Sequence, residues 1–175
     1  MGQVITYARQ NLTKNFALLA LLLLALSCHG EEGDKSRYTL RLPSGEEIRL
    51  ELAMTPQEHT KGLSGRPADA LAKDEGMLFV YENPDIRQFW MPDTHFDLTI
   101  AFLDKNFRIT ALERDVPKHP SKEEPIPRTG TYWSYYVLEI RNDSPLAEKL
   151  KKDMKLKWTA SSRPWEKESK THRQQ

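Results

Sequence analysis

Short runs in which apolar residues recur at every second position restrict this chain to a mainly β fold more tightly than any other feature. In Glu47–Leu52, Ile48, Leu50 and Leu52 share one side and charged residues occupy the other. Tyr38–Leu42 alternates in the same way. Pro43-Ser44-Gly45-Glu46 supplies a turn between the two runs, so the pair predicts a hairpin. Gly76–Tyr81 is almost wholly apolar, as expected of a strand covered on both faces, and Asp85–Met91 predicts a further strand after it. Asp97–Leu103 and Phe107–Glu113 predict a second hairpin around Asp104-Lys105-Asn106, with Asn106 suited to a left-handed turn conformation. Val116–Gly130 contains four prolines and reads as a long loop. Tyr135–Arg141 alternates again, with Tyr136, Leu138 and Ile140 on one side, and Met154–Trp158 predicts a last strand. Helical signals are confined to two places. Thr55 can cap, Pro56 suits a first turn and Glu58 can reach back in a capping box, with a stop near Gly62 or Gly65. Ser144-Pro145 starts a second short helix through about Lys151. About seven short strands and two small helices predict a compact β-sandwich or barrel-like single domain over residues 38–158.

Residues 1–27 read differently. Arg9 and Lys14 precede an uninterrupted run of eleven apolar residues, Phe16–Leu26, and no acidic residue comes before it. A transmembrane helix needs about 20 apolar residues, so the run fits the middle of a cleaved export signal. Ser27 precedes Cys28, the one cysteine of the chain, in the arrangement of a lipoprotein signal, with Ala25 where Leu is usual. A myristoylation-like start at Gly2 is set aside, because a myristoylated soluble protein has no place for the apolar run behind it. The expectation is an exported protein of the cell envelope, held to a membrane by a lipid on Cys28, with residues 28–37 as a flexible tether. Beyond residue 27 the chain carries 24 Lys+Arg against 25 Asp+Glu. That balance gives no reason to expect a nucleic-acid partner. Residues 159–175 are polar and aperiodic and are expected to be disordered. From Lys149 to the end, nine Lys+Arg stand against three Asp+Glu, a basic stretch that could touch anionic lipid.

Four segments carry a family resemblance. They are Asp74-Glu75-Gly76-Met77-Leu78-Phe79-Val80-Tyr81, Phe89-Trp90-Met91-Pro92-Asp93-Thr94, Ile100-Ala101-Phe102-Leu103-Asp104 and Tyr136-Val137-Leu138-Glu139-Ile140, with Leu63-Ser64-Gly65-Arg66 ahead of the first. Together they resemble DUF192, a domain of unknown function in many bacteria and archaea, often found behind an export signal. The resemblance runs from about Tyr38 to Trp158 and implies a small, mainly β domain, but no reaction. Thr99 stands where the family most often has an acid, Asn142-Asp143 replaces a usual Gly, and Lys152 stands where a Gly-Asp turn usually begins.

The residues best placed for function are Arg66, Glu75, Trp90, Asp93, Thr94 and Glu139, offered as ligand-binding candidates. Trp90, Tyr132, Trp133 and Tyr135 could present flat apolar faces to a sugar or peptide. Asp74, Glu75, Asp93 and Glu139 could supply an acid and a base if two of them converged. Arg66 with Glu75 and Asp93 could grip an anion or form an ion pair. Asp93, His95 and Asp97 fall on one side of an extended chain and could ligate a divalent ion, but a polar turn explains them better. No metal and no cofactor are expected. No serine nucleophile elbow, Cys-His pair, phosphate-binding Gly loop or HExxH is present. The chain therefore reads as an envelope protein that is more a binder than an enzyme. Its partner would be a small molecule, a glycan or an envelope protein. An envelope hydrolase acting on cell-wall glycan and a purely structural or assembly role are the alternatives.

Overall fold

The hairpin predicted first is present. In a computed structural model that describes residues 38–166, β1 (Tyr38–Arg41) pairs antiparallel with β2 (Glu47–Ala53), Tyr38 opposite Leu50 and Arg41 opposite Glu47. Gly45 turns the chain at a φ of 105°, which a side chain would resist. Helix α1 (Pro56–Lys61) follows, and its start is the capping box read from the sequence. The Glu58 amide donates to the Thr55 hydroxyl at 3.2 Å, and the Thr55 amide donates to the Glu58 carboxylate at 2.8 Å. Gly62 ends the helix.

The chain then returns as β3 (Glu75–Arg87), parallel to β2, with Arg49 opposite Glu75. Here the expectation of two strands is corrected. Gly76–Tyr81 and Asp85–Arg87 belong to one strand, interrupted by a bulge between Val80 and Asp85 while both halves keep the same partner. That partner is β6 (Tyr132–Arg141). Its other edge holds β4 (Leu98–Leu103), which forms the second hairpin with β5 (Ile109–Val116). In the turn of that hairpin the left-handed residue is Phe107, at φ 60°, and not Asn106. The Asp104 carboxylate accepts the amides of Asn106 and Arg108 and fixes the turn around it. Helix α2 (Pro145–Lys149) and the two-residue β7 (Lys157–Trp158), paired with β1, complete the elements.

The strand order is β5-β4-β6-β3-β2-β1-β7. The sheet curls until its ends meet. Arg108 bridges Lys155, the Leu156 amide donates to the Phe107 carbonyl at 2.9 Å, and the Ile109 amide donates to the Met154 carbonyl at 2.9 Å. Both faces of the central strands are therefore buried. Leu78, Val80, Leu138 and Ile140 lie in the core that also holds Phe107, Leu156 and Leu146 of α2. Met77, Phe79, Ile100, Phe102 and Val137 point the other way, into a second core shared with Leu63, Leu71, Met91 and Phe96 from the connecting segments. Residues 159–166 continue from β7 and bring Trp165 onto Trp158 and Tyr136 at 5.1 and 5.6 Å between ring centroids. The signal, Cys28, the tether and residues 167–175 lie outside the described residues.

Candidate functional site

Glu139 sits in the middle of β6 on the face of the second core, between Met77 of β3 and Ile100 of β4. Only 4% of it is exposed. No hydrogen bond from a described residue reaches its carboxyl group. Burial pushes that carboxyl up to about 8, against a smaller opposing pull from the Arg66 guanidinium. At neutral pH it is therefore a neutral acid that can donate a hydrogen bond.

The carboxyl faces a cavity of about 40 Å³, lined by His59 and Lys61 of α1, by Phe79 of β3, and by Trp90 and Thr94 of the following segment. Several local features shape it. The capped helix holds His59, whose Nε2 lies 3.0 Å from the carbonyls of Ala53 and Val80. Both are acceptors, so Nε2 carries the proton. The ring packs on Tyr81 at 4.3 Å, and burial pushes the Tyr81 hydroxyl up to about 12 although Arg87 lies 3.5 Å over its ring. Across the cavity, segment 89–94 is pinned to the long proline-rich loop. The Thr129 amide donates to the Phe89 carbonyl, the Met91 amide to Pro127, and Thr94 exchanges amide bonds with His119. Trp90 is left 52% exposed at the rim, with the Arg128 guanidinium 5.9 Å from its ring.

Of the residues picked from sequence, the structure brings Trp90, Thr94 and Glu139 to one cavity, with Arg66 within electrostatic reach of Glu139. It does not bring in Glu75 or Asp93. Glu75 pairs with Arg49 at 3.2 Å and accepts the Ala72 amide. Asp93 adopts a φ of 52°, pairs with His95 at 3.1 Å and lies 3.9 Å from Lys122. The predicted cluster of Arg66, Glu75 and Asp93 does not form, because Arg66 pairs with Glu51 at 2.8 Å. Nor do two carboxylates converge for hydrolysis, since among the described residues Glu139 is the one acid lining the cavity. Asp97 accepts the Lys118 amide at 2.8 Å, and among the described residues no group of three metal-ligating side chains comes together. Of the proposed aromatic face, Trp133 is 59% exposed but does not line the cavity, and Tyr132 donates to Glu113 at 2.5 Å.

The family model for DUF192, described as uncharacterized ACR, matches residues 39–158, the span of the sheet. The chain belongs to the DUF192 family. Two solved structures share the DUF192 fold seen here. A protein of unknown function from Novosphingobium aromaticivorans is 30% identical with a TM-score of 0.56, over 69% of this chain and 83% of its own. A putative transcription regulator from Sinorhizobium meliloti is 24% identical with a TM-score of 0.57, over 69% of this chain and 91% of its own. No curated protein matches the chain. Two departures from the DUF192 pattern prove to touch each other. The buried Thr99 hydroxyl donates to the Asn142 side-chain oxygen at 2.7 Å, and Asn142 in turn donates to Asp115 at 2.6 Å. His59 is among the cavity residues that sequence reading missed, with Lys61 of the same helix. Their only signal was a place in the last turn of the capped helix.

Proposed function

We propose that this DUF192 protein is exported, held to a membrane by a lipid on Cys28, and binds the end group of a small or polymeric ligand without transforming it. The observation that carries the binding reading is Glu139, mostly buried, hydrogen-bonded by no described residue and lining a cavity whose rim presents Trp90. A mostly buried carboxyl that opens on a cavity and is not tied to the rest of the protein suits a ligand that hydrogen-bonds it there. The cavity of about 40 Å³ admits a few water molecules or the tip of a ligand. It is far below the roughly 300–1,000 Å³ that enclose a whole drug-sized molecule, so most of the ligand would lie outside, across Trp90. A lone acid without a second carboxylate opposes glycoside hydrolysis, which needs a pair. The putative regulator from Sinorhizobium meliloti lends no nucleic-acid function, because its likeness is one of fold.

Thermal shift with N-acetylglucosamine oligomers and short peptides tests the binding reading. Stabilisation by a probe should vanish in Trp90→Ala and Glu139→Leu, which removes the hydrogen-bonding group, while both variants keep a folded baseline. Equal stabilisation of wild type and variants would remove the cavity from the account. For the anchor, labelled palmitate should enter the wild type and not Cys28→Ala; equal labelling, or none in either, leaves export without a lipid.

A further inference from the structure

The seam where the sheet closes presents a face that the cavity reading does not use. In the closing bridge Arg108 and Lys155 stand directly opposite each other, an arrangement in which like charges repel. Arg108 donates to the Asp153 carbonyl at 2.7 Å. Lys155 and Lys157 are exposed on either side of the buried Leu156. With Phe107, Trp158 and Arg163 they line one groove along the seam. The Arg163 guanidinium lies 5.0 Å from the Phe107 ring and 3.1 Å from the Glu166 carboxylate. Tyr38, where the described chain begins, stacks on Trp158 at 5.3 Å. The chain thus enters the domain at the edge of this groove. Cys28 lies ten residues earlier, and a stretch of that length reaches at most about 33–36 Å.

We propose that this groove seats the anionic headgroups of the membrane that carries the Cys28 lipid, so that the domain rests with its seam towards the bilayer. The proposal depends on the lipid-anchor reading and not on the cavity. Charge complementarity is the first reason: exposed lysines beside an anionic leaflet each favour contact by about fivefold. The second is the aromatic content, because tryptophan and tyrosine settle at the headgroup level with an apolar face inward and a polar edge in water. Trp158 fits this, being partly exposed with its indole N–H bonded to the Ser162 carbonyl at 3.3 Å. The third is tether length. A surface within about 36 Å of the lipid meets the bilayer at high effective concentration. The cavity takes no part, since none of its lining residues lies in the groove.

Hydrogen exchange on the full chain decides the matter. Wild type, Cys28→Ala and the triple variant K155E/K157E/R163E are each mixed with vesicles of phosphatidylcholine alone or with 30% phosphatidylglycerol, by roughly the anionic content that attracts basic segments. Flotation is read in parallel. Wild type should float with both vesicles, and amides of residues 107–109 and 154–158 should exchange at least threefold more slowly on the anionic ones. That difference should vanish in 1 M salt, where the screening length falls to about 3 Å, and in the triple variant, which should still float. If wild type floats and those amides exchange equally on both vesicles, the docking proposal falls and the anchor stands. If wild type neither floats nor shows protection, both fall. Protection of Cys28→Ala equal to wild type would keep the docking and remove its dependence on the lipid. A DNA duplex that protects the same amides more strongly than the anionic vesicles, at equal salt, would replace the membrane with nucleic acid.

Discussion

Glu139 is a carboxyl group whose place in the fold works against its charge. Its folded-state value of about 8 lies above the ordinary carboxylate range, so between those two values the folded chain holds a proton that the unfolded chain has released. Stability then falls as pH rises through that window, by up to about 1.4 kcal/mol per pH unit. Glu139→Gln removes the ionisation and keeps the shape. Urea unfolding from pH 5 to pH 9 should show a declining midpoint for wild type and a flatter one for the variant, which should be the more stable above pH 8. Parallel curves would mean that the group is ionised in the folded chain at neutral pH. Asp93 is a different case. At a φ of 52° it occupies left-handed space, where Asp and Asn are tolerated better than Ala. Asp93→Ala should cost about 1–2 kcal/mol, and Asp93→Asn clearly less, by the same unfolding measurement. Sequence pattern could select Trp90, Thr94 and Glu139 because they fall in distinctive segments. It could not pair Arg66 with Glu51 or send Asp93 to His95, since those choices follow from strand register and a backbone dihedral.

At the scale of elements, local chemistry was the readable part. Thr55, Pro56 and Glu58 announced α1 because a capping box is satisfied within four residues, and the β1–β2 hairpin followed from alternation across a glycine turn. The long β3 was hidden by Glu82-Asn83-Pro84, which read as a break but forms a bulge that leaves β6 on the same edge. The parallel pairing of β2 with β3 is equally non-local. Two substitutions probe these elements. Thr55→Ala removes the cap and should lower stability by about 1 kcal/mol, loosening His59 along with the helix. Gly76→Ala tests the tightest strand contact. A methyl group there would lie 2.9 Å from the Glu139 carbonyl oxygen and 3.2 Å from Ile48, beside backbone that cannot withdraw. Overpacking of that kind costs about 1–3 kcal/mol, and calorimetry should place the variant well below wild type in Tm.

The molecule as a whole depends on a closure that no single segment announces. Strands β3 and β6 pair along most of their length, whereas the seam between β5 and β7 is held by three backbone hydrogen bonds and a two-residue strand. What secures the seam is side-chain packing. Leu156 is buried with Phe107, whose ring stacks on Tyr136 at 4.6 Å and faces Trp158 at 6.0 Å. Closure therefore joins the last described residues to the first strand and to the core around Phe107 and Leu156 at once, and the fold is incomplete without the stretch around residue 156. Leu156→Ala should lower global stability by about 2–5 kcal/mol, the usual cost of emptying a buried leucine site. It should also act unevenly. Amides of Ile109 and Leu156, whose bonds cross the seam, should exchange through a local opening of lower free energy than global unfolding, while Leu78 and Leu138 in the central ladder should follow the global value. Val137→Ala, which empties space in the second core on β6, should lower both sets together. If Leu156→Ala also shifts every amide by the same amount, the seam opens only when the whole sheet unfolds, and the curled sheet is one cooperative unit in spite of its short closing strand.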